Sequence, residues 1–203
     1  NEMGVSIAQQ ERSLAEMVAQ VEGALAAAET ALVKAVAALD SLDVEYLGEI
    51  KSISKPPPGV ADVTAACLCL LQTKDMPFKK VDTSWKAAQQ MVMPPQKFLE
   101  NMRGLKQKID NGLVPKSNFR NIQDLLKLEN FDPEVMRKKS IAATCLADFV
   151  ININVYNDIS MTVEPKKLQI TKSRAELEGM KARQVAVTTR AKPGTTPMAA
   201  EDE

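Results

Sequence analysis

The sequence predicts an all-α protein, a small helical-bundle head at the tip of an antiparallel two-stranded coiled coil. Three observations predict it. Leu14, Val18, Val21, Leu25, Ala28, Leu32, Ala35, Leu39, Leu42, Tyr46, Ile50 and Ile53 follow one another at steps of three or four, the seam of a coiled coil. That run stops at Pro56, Pro57 and Pro58, and a weaker seam of Tyr156, Ile159, Val163, Lys166, Ile170, Ser173, Leu177 and Met180 returns only beyond residue 155. Nowhere between does a strand pattern stand out, since the β-branched run at 150–155 lies inside a longer helical period. The reading divides the chain into an outgoing stalk helix (1–55), a globular head (56–155), a returning stalk helix (156–190) and a mostly polar tail (191–203) expected to be disordered.

Each element has its own local warrant. The outgoing helix is expected to run unbroken to Ile53. After the prolines, Val60, Val63, Thr64, Cys67, Leu68, Leu70 and Leu71 make an apolar face, which predicts a buried helix of about four turns; proline is well tolerated in a first turn. A loop with Pro77, Lys79 and Lys80 follows. Ser84 is then the expected N-cap of a helix over 85–93, ended by Pro94 and Pro95. Phe98, Leu99, Met102, Leu105 and Ile109 give one amphipathic helix closed by Asn111 and Gly112, and 115–128 gives the next, with Phe119, Ile122, Leu125 and Leu126 inward. Asp132 and Pro133 form a cap and first-turn pair that starts a long helix running on into the return arm, with Leu39 facing the region 159–166.

Composition narrows the function. Across 203 residues, 45% hydrophobic, the chain can bury one modest core. No stretch approaches the roughly 18 uncharged apolar residues of a membrane span, and residues 1–10 lack a secretory signal, so a soluble, cytoplasmic protein is expected. The chain opens without Met and in mid-heptad, which reads as a piece of something longer. Three cysteines, Cys67, Cys69 and Cys145, with no histidine, argue against a disulfide framework and a zinc site and read as small buried hydrophobes. No metal, cofactor or catalytic residue is expected: there is no phosphate loop, no histidine base and no clustered carboxylates beyond helix-surface pairs. Net charge is zero, yet residues 51–155 hold 16 Lys and Arg against 10 Asp and Glu. A basic head on acidic arms suggests an acidic partner. Nucleic acid is disfavoured, because Trp85, Phe98, Phe119, Phe131 and Phe149 sit at core spacing rather than among the basic residues.

Several separated motifs resemble dynein heavy chains. Tyr46-Leu47-Gly48-Glu49-Ile50-Lys51-Ser52-Ile53 followed by Lys55-Pro56-Pro57 and Val60 is similar to the passage from the stalk helix into their microtubule-binding domain. Ser84-Trp85-Lys86-Ala87-Ala88, Asn130-Phe131-Asp132-Pro133-Glu134-Val135, Lys139-Ser140-Ile141-Ala142-Ala143 and Val163-Glu164-Pro165-Lys166-Lys167 recur in order at family-like spacing, over about 25–170. The wording at 82–88 looks more like axonemal outer-arm chains than the cytoplasmic motor. The resemblance implies a non-enzymatic stalk tip that binds the tubulin of microtubules, sits in the cytoskeleton of a ciliary or flagellar axoneme, and reports to a distant ATPase ring. It implies microtubule-contact candidates at Lys51, Lys55, Lys97, Arg103, Lys106, Arg137, Lys138 and Lys139. Ala61 and Asp148 stand where the cytoplasmic pattern has lysines, which lowers the charge of that surface. A leucine-rich-repeat light chain on residues 119–137, or a pure docking scaffold, is the alternative partner reading.

A mechanism follows from the arms. Ala24, Ala27, Ala28, Ala31, Ala35 and Ala38 offer shallow knobs on two neighbouring stripes, so axial sliding should be cheap. Half a heptad is about 5 Å of travel at 1.5 Å rise per residue. Pro56, Pro57 and Pro58, with Pro165 in the return arm, are the expected hinges.

Overall fold

A computed structural model of the chain describes residues 2–77 and 79–190. Among these residues there are nine helices and no strand. The tail at 191–203, expected to be disordered, lies outside the described residues. The described residues fall into two compact units, one within Asn1–Leu25 and Met161–Glu203 and the other within Ala26–Ser160. No helix among the described residues is long and apolar enough to cross a membrane.

The first unit is a pair of helical segments. One is the start of α1 (Glu2–Asp40) and the other the end of α9 (Ile141–Arg190). They run antiparallel: Lys181 Nζ lies 2.9 Å from Glu11 Oε1, and a Cβ built on Gly4 would stand 3.5 Å from Gln184 Nε2. Ile7, Val21, Val163, Ile170 and Leu177 are buried along the seam. Lys166, Ser173 and Met180 are half-buried at the expected steps, and the last such position is Gln184. Leu25, expected in the seam, is instead 41% exposed, while Ala24 is half-buried. The inward stripe passes through the smaller residue. Pro165 lies within α9 and does not end it; a proline removes one N–H from the ladder, and here the helix continues past that loss.

The second unit is a helical bundle. Its core runs through α3 (Val60–Leu71), where Val60, Val63, Ala66, Cys67 and Leu70 are all but fully buried. α3 packs against α4 (Trp85–Met91) and α7 (Lys116–Leu126), and α2 (Val44–Ser52) packs against α4 and α5 (Pro95–Arg103). At 12 residues α3 is shorter than the expected four turns. Ser84 caps α4 as expected, its Oγ accepting from Ala87 N at 3.2 Å. Gly112 takes φ 67° after α6 (Leu105–Asp110), letting Leu113 N reach Lys108 O at 2.8 Å and close the helix. Cys67, Cys69 and Cys145 are all buried, as expected of small hydrophobes, and burial beside Cys69 pushes the Cys67 thiol up to about 12.

Three expected helices are broken. The outgoing helix stops at Asp40 and resumes at Val44. Asp40, Ser41 and Asp43 are residues whose side chains compete with the helix backbone, and Ser41 Oγ indeed donates to Ala37 O at 2.9 Å. The apolar step Leu39, Leu42, Tyr46 continues across the break, so periodicity does not register it. Gly104 separates α5 from α6, where one amphipathic helix was expected. The long helix from Pro133 is two: α8 (Pro133–Arg137) is capped by Asp132, and α9 starts at Ile141 after Ser140, whose Oγ accepts from Ala143 N at 3.2 Å. A groove lined by Ala37, Ala38 and Ser41 at the end of α1 and by Ile141, Thr144, Cys145 and Asp148 at the start of α9 sets those two ends side by side, where Leu39 was expected to face 159–166.

Candidate functional site

Between α2 and α3 lies an irregular strap that is held at both ends. A helix C-terminus leaves carbonyls without partners. Here Gln89 Nε2 donates to Lys51 O at 2.8 Å and to Ile53 O at 3.0 Å, and Trp85 Nε1 donates to Ile53 O at 2.8 Å. At the far end Lys139 Nζ donates to Pro58 O at 2.8 Å and to Asn130 Oδ1 at 3.0 Å. Gly59 follows with φ 88°, and a Cβ there would fall 2.7 Å from both Asn130 Cβ and Met136 Cε. Only glycine allows this turn and this approach. The strap that holds Lys55, Pro56, Pro57 and Pro58 is thus seated on α4 at one end and on the α7–α8–α9 turns at the other.

The eight basic candidates separate by what they already hold. Lys51, Lys55 and Lys138 are exposed, with no ion pair among the described residues. Lys97 pairs with Glu100 at 3.9 Å and Arg137 with Glu134 at 3.0 Å, both i,i+3 and well exposed. Such pairs contribute about 0–1 kcal/mol and exchange readily. Arg103 is drawn to Asp40 at the end of α1, at 3.1 Å. Lys106 meets Asp110 at 2.6 Å and lies 5.9 Å from the centre of the Tyr156 ring, whose hydroxyl donates to the same carboxylate. Its hydrogen bond to Asp110 raises its pKa. Lys139 is half-buried and occupied by neutral acceptors. The Lys139 bond to Pro58 thus joins the strap that carries Lys55 to the turn that carries Lys138, while Arg103 and Lys106 are committed to intramolecular partners.

Other charged residues have partners that the sequence does not mark. Lys108 Nζ donates to Thr73 Oγ1 at 3.1 Å and meets Asp75 at 3.1 Å, and Lys74 Nζ donates to Gly112 O at 2.9 Å, so these lysines tie down the loop after α3. The Thr73 hydroxyl, more than Lys108, holds the Asp75 carboxyl below its usual range. Asp148 lines a groove of about 660 Å³ with Lys34, Ser41, Arg137, Thr144 and Cys145. Burial pushes its carboxyl up, Arg137 pulls it back, and Glu134 and Asp132 add to the rise. Among the described residues, no three His, Cys, Asp or Glu side chains stand together as metal ligands.

Comparison with known proteins adds the family. The model described as the microtubule-binding stalk of dynein motor matches residues 1–193. The chain is 40% identical over 163 residues, 80% of its length, to the dynein alpha chain, flagellar outer arm, of Chlamydomonas reinhardtii. It is also 40% identical over 147 residues, 70% of its length, to dynein heavy chain-like protein 2 of Plasmodium falciparum. It spans 4% of the first relative's length and 3% of the second's. A solved structure titled the microtubule binding domain of dynein-c aligns with 72% of this chain and 92% of its own, at 29% identity and a TM-score of 0.51.

Proposed function

Because this chain belongs to the microtubule-binding stalk family of dynein motors, we propose that Lys51, Lys55 and Lys138 form the centre of its track-contact surface. The observation that carries this reading is their freedom: they are exposed, unpaired among the described residues, and located on two segments tied together by Lys139. Lys97 and Arg137 join them by exchanging weak surface pairs for carboxylates of an acidic protein lattice. Arg103 and Lys106 contribute only if their bonds to Asp40 and Asp110 give way. Asp148 offsets part of this charge, which sets the contact on the weak side.

We place the parent heavy chain in the axoneme of a cilium or flagellum, as an ATP-driven motor whose ring lies outside this chain. The named relatives support that placement, since the matched alpha chain is a flagellar outer-arm protein. In this reading, sliding of α1 along α9 on the alanine stripe reaches the contact surface through the strap at Pro56–Pro58. A leucine-rich-repeat light chain is a second partner in the proposal, seated on 119–137, where Arg120, Asp124, Lys127 and Leu128 are exposed. Protection of Lys127 from acetylation by added light chain would support it, and unchanged labelling would remove it.

Co-sedimentation with microtubules over a salt series tests the main reading. Binding is expected at low salt and falls steeply toward physiological ionic strength, where the Debye length is about 8 Å. Absence of pelleting even at low salt, or binding that ignores salt, overturns it.

A further inference from the structure

We infer that Lys139 is not a track contact but a positioning residue: it clamps the strap after α2 onto the start of α9 and so sets where Lys55 stands relative to Lys138. The inference rests on the microtubule-binding reading for its consequence, though not for its geometry.

Two neighbouring lysines have diverged. Lys138 is exposed and unpaired among the described residues, whereas Lys139 is half-buried, with two of its three ammonium donors spent on Pro58 O and Asn130 Oδ1. Both acceptors are neutral and directional, unlike a loose surface ion pair, and Pro58 lies 81 residues away in the chain. A second observation locates the same junction independently. Gly59 approaches Asn130 and Met136 so closely that a single added carbon would collide with both. Pro58 has no N–H of its own, so its carbonyl and the packing of Gly59 are what fix this end of the strap. α3 begins there: Val60 N donates to Pro57 O at 3.1 Å and Val63 N to Gly59 O at 3.1 Å.

The consequence is mechanical. Displacement of α2 passes to the strap, since Trp85 and Gln89 hold its other end to α4. With Lys139 in place, Lys55 and Lys138 keep one spacing; with Lys139 released, the Pro58 end floats. Asn130 orients the ammonium and is part of the same device.

The test uses the full chain and five variants, three of them primary. Asn130→Ala changes no charge, Lys139→Met removes the clamp, and Lys138→Met removes a neighbouring free charge. Loss of about one hydrogen bond's net worth predicts roughly fivefold weaker co-sedimentation for Asn130→Ala. The double variant Asn130→Ala with Lys139→Met should bind no worse than Lys139→Met alone, because both act through one clamp. Lys139→Arg, which keeps the donors, should restore most of the affinity. Amide exchange gives a readout that needs no microtubules: Asn130→Ala and Lys139→Met should speed exchange at Val60 and Val63, and Lys138→Met should leave it unchanged. If Asn130→Ala leaves binding and exchange as in the parent chain while Lys139→Met behaves like Lys138→Met, Lys139 is a contact and the clamp is wrong. If the parent chain does not pellet, the microtubule reading falls, and the exchange data still decide the clamp.

Discussion

The two compact units pack by different chemistry. In Ala26–Ser160 the core contains many large, sealed side chains, Leu70, Phe98, Met102, Ile122, Met136, Leu146 and Ile153 being at most 1% exposed, with small residues such as Ala66, Ala142 and Ala147 buried among the same elements. In the other unit the seam of Ile7, Val21, Val163, Ile170 and Leu177 is 1% to 7% exposed at four positions and 8% at Ile170, and polar Gln10, Lys166 and Ser173 interrupt it. The Oε1 of Gln10 is buried there with no hydrogen-bond partner among the described residues. A core of interlocking large side chains admits one arrangement. A two-helix seam of small, polar and medium residues defines its axial position weakly. Precise geometry therefore belongs to the part of Ala26–Ser160 that carries the strap and its lysines, and axial tolerance to the helix pair and to the alanine stripe of α1 at Ala28, Ala31 and Ala35.

The largest expected effect tests the sealed core. Phe98→Ala should cost about 3–5 kcal/mol, close to the whole stability of a domain this size, whereas Val21→Ala on the seam should cost about 1 kcal/mol or a little more. Urea unfolding followed by circular dichroism reads both. Equal costs would erase the contrast between the units. Next comes Gly59→Ala, which combines a strained φ of 88° with a 2.7 Å collision and should cost upward of 1 kcal/mol. A stable Gly59→Ala protein with unchanged microtubule affinity would show that the strap does not need its close seat.

How much of this was legible in the sequence depends on the distance over which the cause acts. Ser84, Asp132 and Gly112 declared helix ends because capping is decided within three or four residues. Ser140 carried the same signal ahead of the apolar run Ile141-Ala142-Ala143, and it was hidden by reading Arg137-Lys138-Lys139 as the surface of one continuous helix. The break at Ser41 was masked because Leu42 steps into the bundle core at the spacing a continued seam would use. Leu25 and Ala24 show a limit of a different kind: an i+3 and an i+4 step look alike, and only the partner helix chooses between them. The basic candidates were legible as a set, but not by role. That Lys139 is spent on Pro58 while Lys138 is free depends on a bond across 81 residues to a neutral carbonyl, which no local pattern marks.

A middle-sized effect sharpens the contrast between spent and free charges. Lys138→Glu should weaken co-sedimentation by about 1–3 kcal/mol if it meets a lattice carboxylate. Lys80→Glu, in the loop before α4, should matter far less. Equal losses would mean that only total charge is sensed and that the strap's geometry is irrelevant.

The smallest effect concerns Asp148, the acid on the groove between α1 and the start of α9. Burial raises its carboxyl above the ordinary range despite Arg137 nearby. A raised carboxyl binds its proton more tightly in the folded chain than in the unfolded one. Its contribution is therefore fully present below the ordinary carboxylate pKa and is lost as pH rises through the higher folded value. Asp148→Asn fixes the neutral state, so its stability advantage over the parent chain should be near zero in acid and grow on the way to neutral pH. The same substitution removes a negative charge beside Arg137 and should strengthen microtubule binding slightly at neutral pH and low salt, with Asp148→Lys strengthening it more. Urea midpoints at several pH values, paired with pelleting, separate the two consequences. An advantage that is equal at all pH values would mean that Asp148 is not desolvated by the groove. Pelleting unchanged by Asp148→Lys would place this acid, and with it the groove, outside the field that the track feels.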